Sequence, residues 1–128
     1  MLNRDGIRKS TYAATKQILA NVLLQSSVGC IVPQSLGVPV GTQKLAKAGT
    51  PIQVDLMNLQ TPAKAGNANT AFNAVLLHDV DVTAGNANGT ALVFGFVNVN
   101  RVDADVQALI TTALTAANHS KMITFMKG

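Results

Sequence analysis

Few side chains in this sequence are able to do chemistry near neutral pH. His78 and His119 are its only imidazoles, and histidine alone among unperturbed side chains changes charge between about pH 5 and 8. His78 is followed by Asp79, with Asp81 two residues further on. On a strand, Asp79 and Asp81 share a face, close enough to hold a divalent ion or to pair a general acid with a base. The same alternation turns His78 to the opposite face. A cation cage needs more oxygen ligands than two, and the neighbouring sequence signals none. His78, Asp79 and Asp81 are therefore read as a strand end with solvated carboxylates and a histidine at a subunit contact.

The remaining chemistry is thinner. Cys30 is the only thiol, so no internal disulfide forms. Its setting, Val28-Gly29-Cys30-Ile31-Val32, suits a small core side chain better than a reactive one. The stretch Ala84-Gly85-Asn86-Ala87-Asn88-Gly89 lacks the Lys-Ser/Thr ending of a phosphate loop and precedes a strand, not a helix. A nucleophile elbow is absent as well. Phe94 and Phe96 could stack bases, but no Lys or Arg lies in their strand to hold a backbone, and both are read as core. No catalytic residue, metal ligand or cofactor site is expected.

The elements that must carry these residues follow from periodicity. From Ser10 to Gln25 the apolar positions Tyr12, Ile18, Leu19, Val22 and Leu23 recur at helical spacing, with Ser10 as a cap. Short strands are expected at 28–32 and 36–40, interrupted by Pro33, Gly37, Pro39 and Gly41. Lys47-Ala48-Gly49-Thr50-Pro51 reads as a turn into a strand at Ile52–Leu56. Ala65-Gly66-Asn67-Ala68-Asn69 returns as Ala84-Gly85-Asn86-Ala87-Asn88. Two similar turns are expected there, bracketing one long strand from Phe72 to Thr83. Thr90–Val99 would pair with it as a hairpin, buried on both faces, with Gly95 marking a bulge or a close backbone approach. Asp103 then caps a helix whose apolar stripe is Val106, Leu109, Ile110, Ala113 and Ala117, stopping near Asn118. Lys121–Lys127 alternates as a closing strand, with Ile123 and Phe125 on one side and Met122, Thr124 and Met126 on the other.

The fold class expected is mainly β (α+β): a small β-barrel or sandwich-like domain with one C-terminal helix and an N-terminal arm or helix. Residues 1–25 form the basic arm and 26–128 a single β-rich domain. A chain of 128 residues suits one domain. Charged residues make up only 12% of it, so Asn, Thr, Ser and Gln must supply the polar surface. Such neutral surfaces pack against other subunits without a large desolvation cost. The net charge of +4 is uneven: residues 1–64 hold seven Lys/Arg against two Asp, residues 65–128 three against four. Arg4, Arg8, Lys9 and Lys16 make the N-terminal stretch a candidate contact for an acidic partner, protein or nucleic acid. No apolar run approaches the roughly 20 residues of a membrane span, and no secretory signal is apparent. Synthesis in a cytoplasm as a soluble protein is expected.

The stretch from Ala74 to Asn98 contains Leu76-Leu77-His78-Asp79-Val80-Asp81-Val82-Thr83, then a Gly/Asn-rich turn, then a strand ending Gly95-Phe96-Val97. It resembles bacteriophage head decoration and head-fibre proteins, which share a Leu-Leu-x-Asp-Val-Asp-x-Thr strand, such a turn and a Gly-Phe-Val step. Lys47-Ala48-Gly49-Thr50-Pro51-Ile52 and Ile123-Thr124-Phe125 are similar to further pieces of that pattern. The resemblance covers roughly residues 44–103 and the last few; residues 1–43 have no counterpart in it. It implies a structural virion protein on the outer surface of the capsid, without cofactor or catalysis. Its partners would be the major capsid protein and further copies of itself, commonly in a trimer. Arg4, Arg8, Lys9, Lys16, His78, Asp79 and Asp81 are the candidate contacts. A membrane partner is not expected, and nucleic acid is disfavoured.

Overall fold

The computed structural model describes Ile18 and residues 25–127. In chain order the elements are β1 (Ser26–Val32), a 3₁₀ turn (Gln34–Leu36), β2 (Val38–Val40), β3 (Gln43–Ala46), β4 (Pro51–Gln53) and β5 (Lys64–Ala65). After these come β6 (Ala74–Leu76), β7 (Val80–Asp81), β8 (Ala87–Asn98), a second 3₁₀ turn (Val99–Arg101), α1 (Ala104–Ala113) and β9 (Ile123–Met126). The domain is mainly β with helix added, two sheets and one helix among the described residues, and the sheets do not close into a barrel. No described helix is long and apolar enough to cross a membrane.

β8 organises the fold. Its twelve residues include two Val, two Phe and one Thr, which suit a pleated, half-buried surface. β6 pairs with it antiparallel through Val75–Leu92 and Leu76–Ala91. β1 pairs antiparallel along residues 87–94, and β9 runs parallel to residues 95–98. Continuing through β6, the sheet adds β4 and then β5 at its far edge. A register shift at Ser26/Ser27 falls opposite the stretch from Leu92 to Phe94, just before the partner of β8 changes from β1 to β9. Gly95 stands at that hand-over with φ 155°. The bulge expected at Gly95 lies instead two residues earlier, where Val93 has no β1 partner, and Gly95 itself pairs in register with Ile123. The Asn98 amide donates to the Ile18 carbonyl at 2.9 Å.

The alternation of strand side chains divides the core in two. Val75, Leu92 and Val97 join Val106, Ile110 and Ala113 of α1, together with Ile18 and Phe72. Ala74, Leu76 and Ala91 join Ala46 and Val80 of the smaller sheet β2-β3-β7, and Val82 just after it. The central strands are therefore covered on both faces, which explains the unbroken apolar run Ala74–Leu77.

Several expectations are corrected. The run from Phe72 to Thr83 is not one strand: β6 lies in the larger sheet and β7 in the smaller. A carboxylate cannot continue into a doubly covered strand without a large desolvation cost, and the chain leaves the central sheet at His78-Asp79, both exposed. The paired strands are neighbours as a hairpin requires, but β7 intervenes between them. Phe94 is not core but 38% exposed, and Phe96 is only half-buried. The strand expected from Ile52 to Leu56 stops at Gln53, and that at 36–40 is shortened to Val38–Val40.

The two Ala-Gly-Asn-Ala-Asn copies also differ. In the first, Gly66 is buried and donates to Pro51, and the Asn67 side chain takes the amides of Asn69 and Thr70. In the second, Gly85 turns with φ 144°, and Ala87 already begins β8. α1 is shorter than expected. Beyond Ala113, Thr115 and Ala116 bond back three residues, to Thr112 and Ala113. That tightening moves the buried position from Ala117 to Ala116, one 3₁₀ turn after Ala113. Leu109, expected in the apolar stripe, is 44% exposed. The closing strand is present, with Ile123 buried and Thr124 and Met126 exposed. The helix expected at 10–25 lies outside the described residues, Ile18 and Gln25 excepted.

Candidate functional site

His78, Asp79 and Asp81 do not form one constellation. Asp79 lies outside any strand, and its Oδ1 accepts from the Ala48 amide at 2.7 Å, just past the end of β3. Asp81 reaches the other end of the same strand. Its Oδ1 accepts from the Thr83 amide at 2.9 Å and the Thr83 hydroxyl at 2.5 Å, and its Oδ2 from Gln43 Nε2 at 3.4 Å. The Thr83 hydroxyl in turn accepts from the Lys44 amide at 2.8 Å. The Thr83 hydroxyl, then the Thr83 amide, hold the Asp81 carboxyl below the usual carboxylate range. Both carboxylates are exposed, as the sequence reading expected, and each also fastens the smaller sheet. His78 is exposed. Arg4, Arg8, Lys9 and Lys16 lie outside the described residues.

Other reactive groups are also engaged. Among the described residues no three His, Cys, Asp or Glu side chains gather as a metal site would need. Cys30 is buried as expected, and burial pushes its thiol above the ordinary value, away from the reactive thiolate. Lys47 Nζ lies 3.1 Å from Asp105 and 3.3 Å from Asp103, tying the turn before β4 to the start of α1. Its pKa is raised, chiefly by the bond to Asp105. Asp103 occupies the cap position but makes no side-chain capping bond there. His119 stacks on Phe72 with ring centroids 5.2 Å apart. Its Nδ1 lies 2.9 Å from the Ser120 carbonyl, which can only accept, so Nε2 is the acceptor facing Lys121 Nζ at 3.3 Å.

What the surface offers instead is apolar relief. Between β4 and β5 the chain makes a loop held by its own polar groups. Asp55 Oδ1 takes the Met57 amide at 3.0 Å, and Asn58 Oδ1 takes the Gln60 amide at 3.2 Å. These Asx turns fix a tip that points apolar side chains at water. Met57 is 94% exposed and Leu56 53%. Beside the tip runs a groove of about 660 Å³ lined by Leu56, Phe72, Val93, Lys121 and Met122 with several amides. Met122, at the entry to β9, is 58% exposed. The amides are fixed: Asn73 makes two bonds with the Val54 main chain, both 2.8 Å, and Gln53 donates to the Ala71 carbonyl. A second groove lies between α1 and β9, around Ile110, Leu114 and Phe125.

No protein-family model matches this chain, and neither a curated protein nor a solved structure is similar to it.

The sequence reading missed the Leu56-Met57 tip because it continued a strand through Leu56. The signal was there in Asp55 and Asn58, which compete for main-chain amides and favour turns, followed by Pro62. Met122 was placed on the correct side of its strand, but its proximity to Leu56, some 66 residues away in sequence, has no local signature.

Proposed function

We propose that this chain is a structural virion protein that binds the outer surface of a bacteriophage capsid and stabilises or decorates it, without catalysis. The observation that carries the reading is how the Asp-Val-Asp motif is used. In the stretch that resembles head decoration proteins, both carboxylates fasten strand β3 to its surroundings. A motif of this kind builds a scaffold. The exposed apolar and amide surfaces around it suit contacts with other protein subunits, which desolvate at little cost.

On this reading the partners are the major capsid protein and further copies of this chain, with the trimer implied by the resemblance. A ligand that binds only the expanded shell shifts the equilibrium towards it. Many weak, repeated contacts make the effect large. The test is co-sedimentation of the purified chain with empty expanded heads and with the immature precursor form. Retention by the expanded heads alone is expected; no retention by either would end the proposal. Tight binding to duplex DNA that falls steeply with log salt would instead mark a nucleic-acid module.

A further inference from the structure

We infer that the outer edge of β1 pairs antiparallel with the same edge of a second copy of this chain. An antiparallel ladder exchanges bonds with its neighbour only at alternate residues. The Ile31 carbonyl accepts from the Ala63 amide at 2.9 Å, on the side of β1 away from β8. Thr90, opposite Gly29, gives its carbonyl to Leu77 on the far side of β8. Both bonds set the same alternation, in which the main chain of Ser27, Gly29 and Ile31 turns outward. Ser27 and Gly29 are exposed, and their outward groups have no partner among the described residues.

What sits there follows from how the other edges are treated. An unpaired edge invites a further strand, and proteins block it with charge, proline or a very short strand. Among the described edge strands, β5 is two residues long and holds Lys64, and β7 is two residues long and holds Asp81. β2 holds Pro39, and β9 lies between Lys121 and Lys127. β1 has seven residues with neither charge nor proline. Guards of this kind prevent association between copies, so an edge without one points to a second copy as its occupant. The trough of about 420 Å³ beside it, lined by Gly29, Ile31, Leu59 and Gln60, carries no charged side chain. A charged strand would be desolvated there without a counter-charge. β1 of a second copy is neutral, already extended and short of the same bonds. Pairing the two satisfies both edges at once, as an isologous contact does.

The register is also constrained. Ala63 fills the place beside Ile31, so the added strand lies along Ser26–Cys30. A two-fold axis at Val28 sets Ser27 against Gly29 of the second copy and Gly29 against its Ser27, each pair exchanging both main-chain bonds. Val28 then faces Val28 of the second copy, on the side where it already packs against the core.

The test is disulfide trapping in the full-length chain with Cys30→Ala, which removes its only thiol. In that background Val28→Cys sets two thiols face to face, with Cα atoms about 4.5 Å apart, and should crosslink under oxidised glutathione. Ser27→Cys and Gly29→Cys, each opposite the other position, should crosslink far more slowly. Sedimentation equilibrium of the wild type should show reversible pairing. Ser27→Pro removes an outward amide, and Gly29→Lys puts a guard into open space. Each should weaken pairing by about tenfold or more with an unchanged circular dichroism spectrum. A wild-type monomer at every concentration overturns the inference. So does crosslinking that does not favour Val28→Cys, or an assembly indifferent to Ser27→Pro and Gly29→Lys. A monomer whose capsid occupancy falls with Ser27→Pro also overturns it and gives the edge to a strand of the shell. A pair that never binds capsids keeps the inference and removes only the proposed function.

Discussion

Asp81 shows how a surface carboxylate becomes structural. It takes both donors of Thr83, whose hydroxyl oxygen holds the Lys44 amide, so one acid fixes the relation of β7 to β3. Because its folded pKa is depressed, the stabilisation is present above the unfolded carboxylate value. It is lost as pH falls through the folded value. Asp81→Asn should therefore lower the thermal midpoint at neutral pH, and the gap to wild type should close in strong acid. Paired melting curves from neutral pH to about pH 2 measure this, and a gap that widens in acid would contradict it. Lys47 behaves with the opposite sign. Its raised pKa makes its contribution complete at neutral pH and lost only as strongly alkaline pH is reached. Since Asp103 and Asp105 are about half exposed, Lys47→Met should cost no more than about 1 kcal/mol in chemical denaturation.

At the scale of elements, the joint between β3 and β4 is the tightest test of the packing. Gly49 has φ +94°, and a Cβ there would stand 2.5 Å from Val102 Cγ1 and 3.2 Å from Val106 Cγ1. Its amide donates to the Leu76 carbonyl at 2.7 Å, so the turn cannot easily move away. Gly49→Ala should destabilise by about 2–4 kcal/mol, combining a backbone penalty with overpacking. Gly29→Ala, in open space on β1, should change stability by no more than about 0.5 kcal/mol. Urea midpoints of the two variants make the comparison, and equal values would mean that the turn relaxes. Leu76→Ala, at a wholly buried position between β8 and the smaller sheet, should cost about 2–5 kcal/mol. These elements were unevenly legible in the sequence. β9 and the start of α1 announced themselves, because each buries one face and shows it as a period. The stretch from Ala74 to Thr83 did not. A doubly covered strand such as β6 loses its alternation, and the departure to β7 is fixed by a bond from Asp79 to Ala48, 31 residues away. The end of α1 was misplaced for a local reason: Thr111, Thr112 and Thr115 each bond a carbonyl of the preceding turn.

For the whole molecule, the decisive question is how the basic N-terminal stretch relates to the core described from Ile18 onward. Ile18 is fully buried among Val97, Val106 and Ile110, and its carbonyl takes the Asn98 amide, so it is anchored in the core. Arg4, Arg8, Lys9 and Lys16 all precede that anchor. A truncation removing residues 1–16 therefore takes away four cations and leaves the buried contact in place. The truncated chain is expected to melt within a few degrees of wild type and to lose capsid occupancy, if the basic stretch reaches an acidic part of the shell. Ile18→Ala should do the reverse, lowering stability by about 2–5 kcal/mol while keeping every charge available for binding. Occupancy measured by densitometry of sedimented heads, alongside the thermal midpoint, separates the two variants. Full occupancy by the truncated chain would transfer the binding role to the domain itself. The Leu114–Phe125 groove between α1 and β9 would then be the next surface to alter.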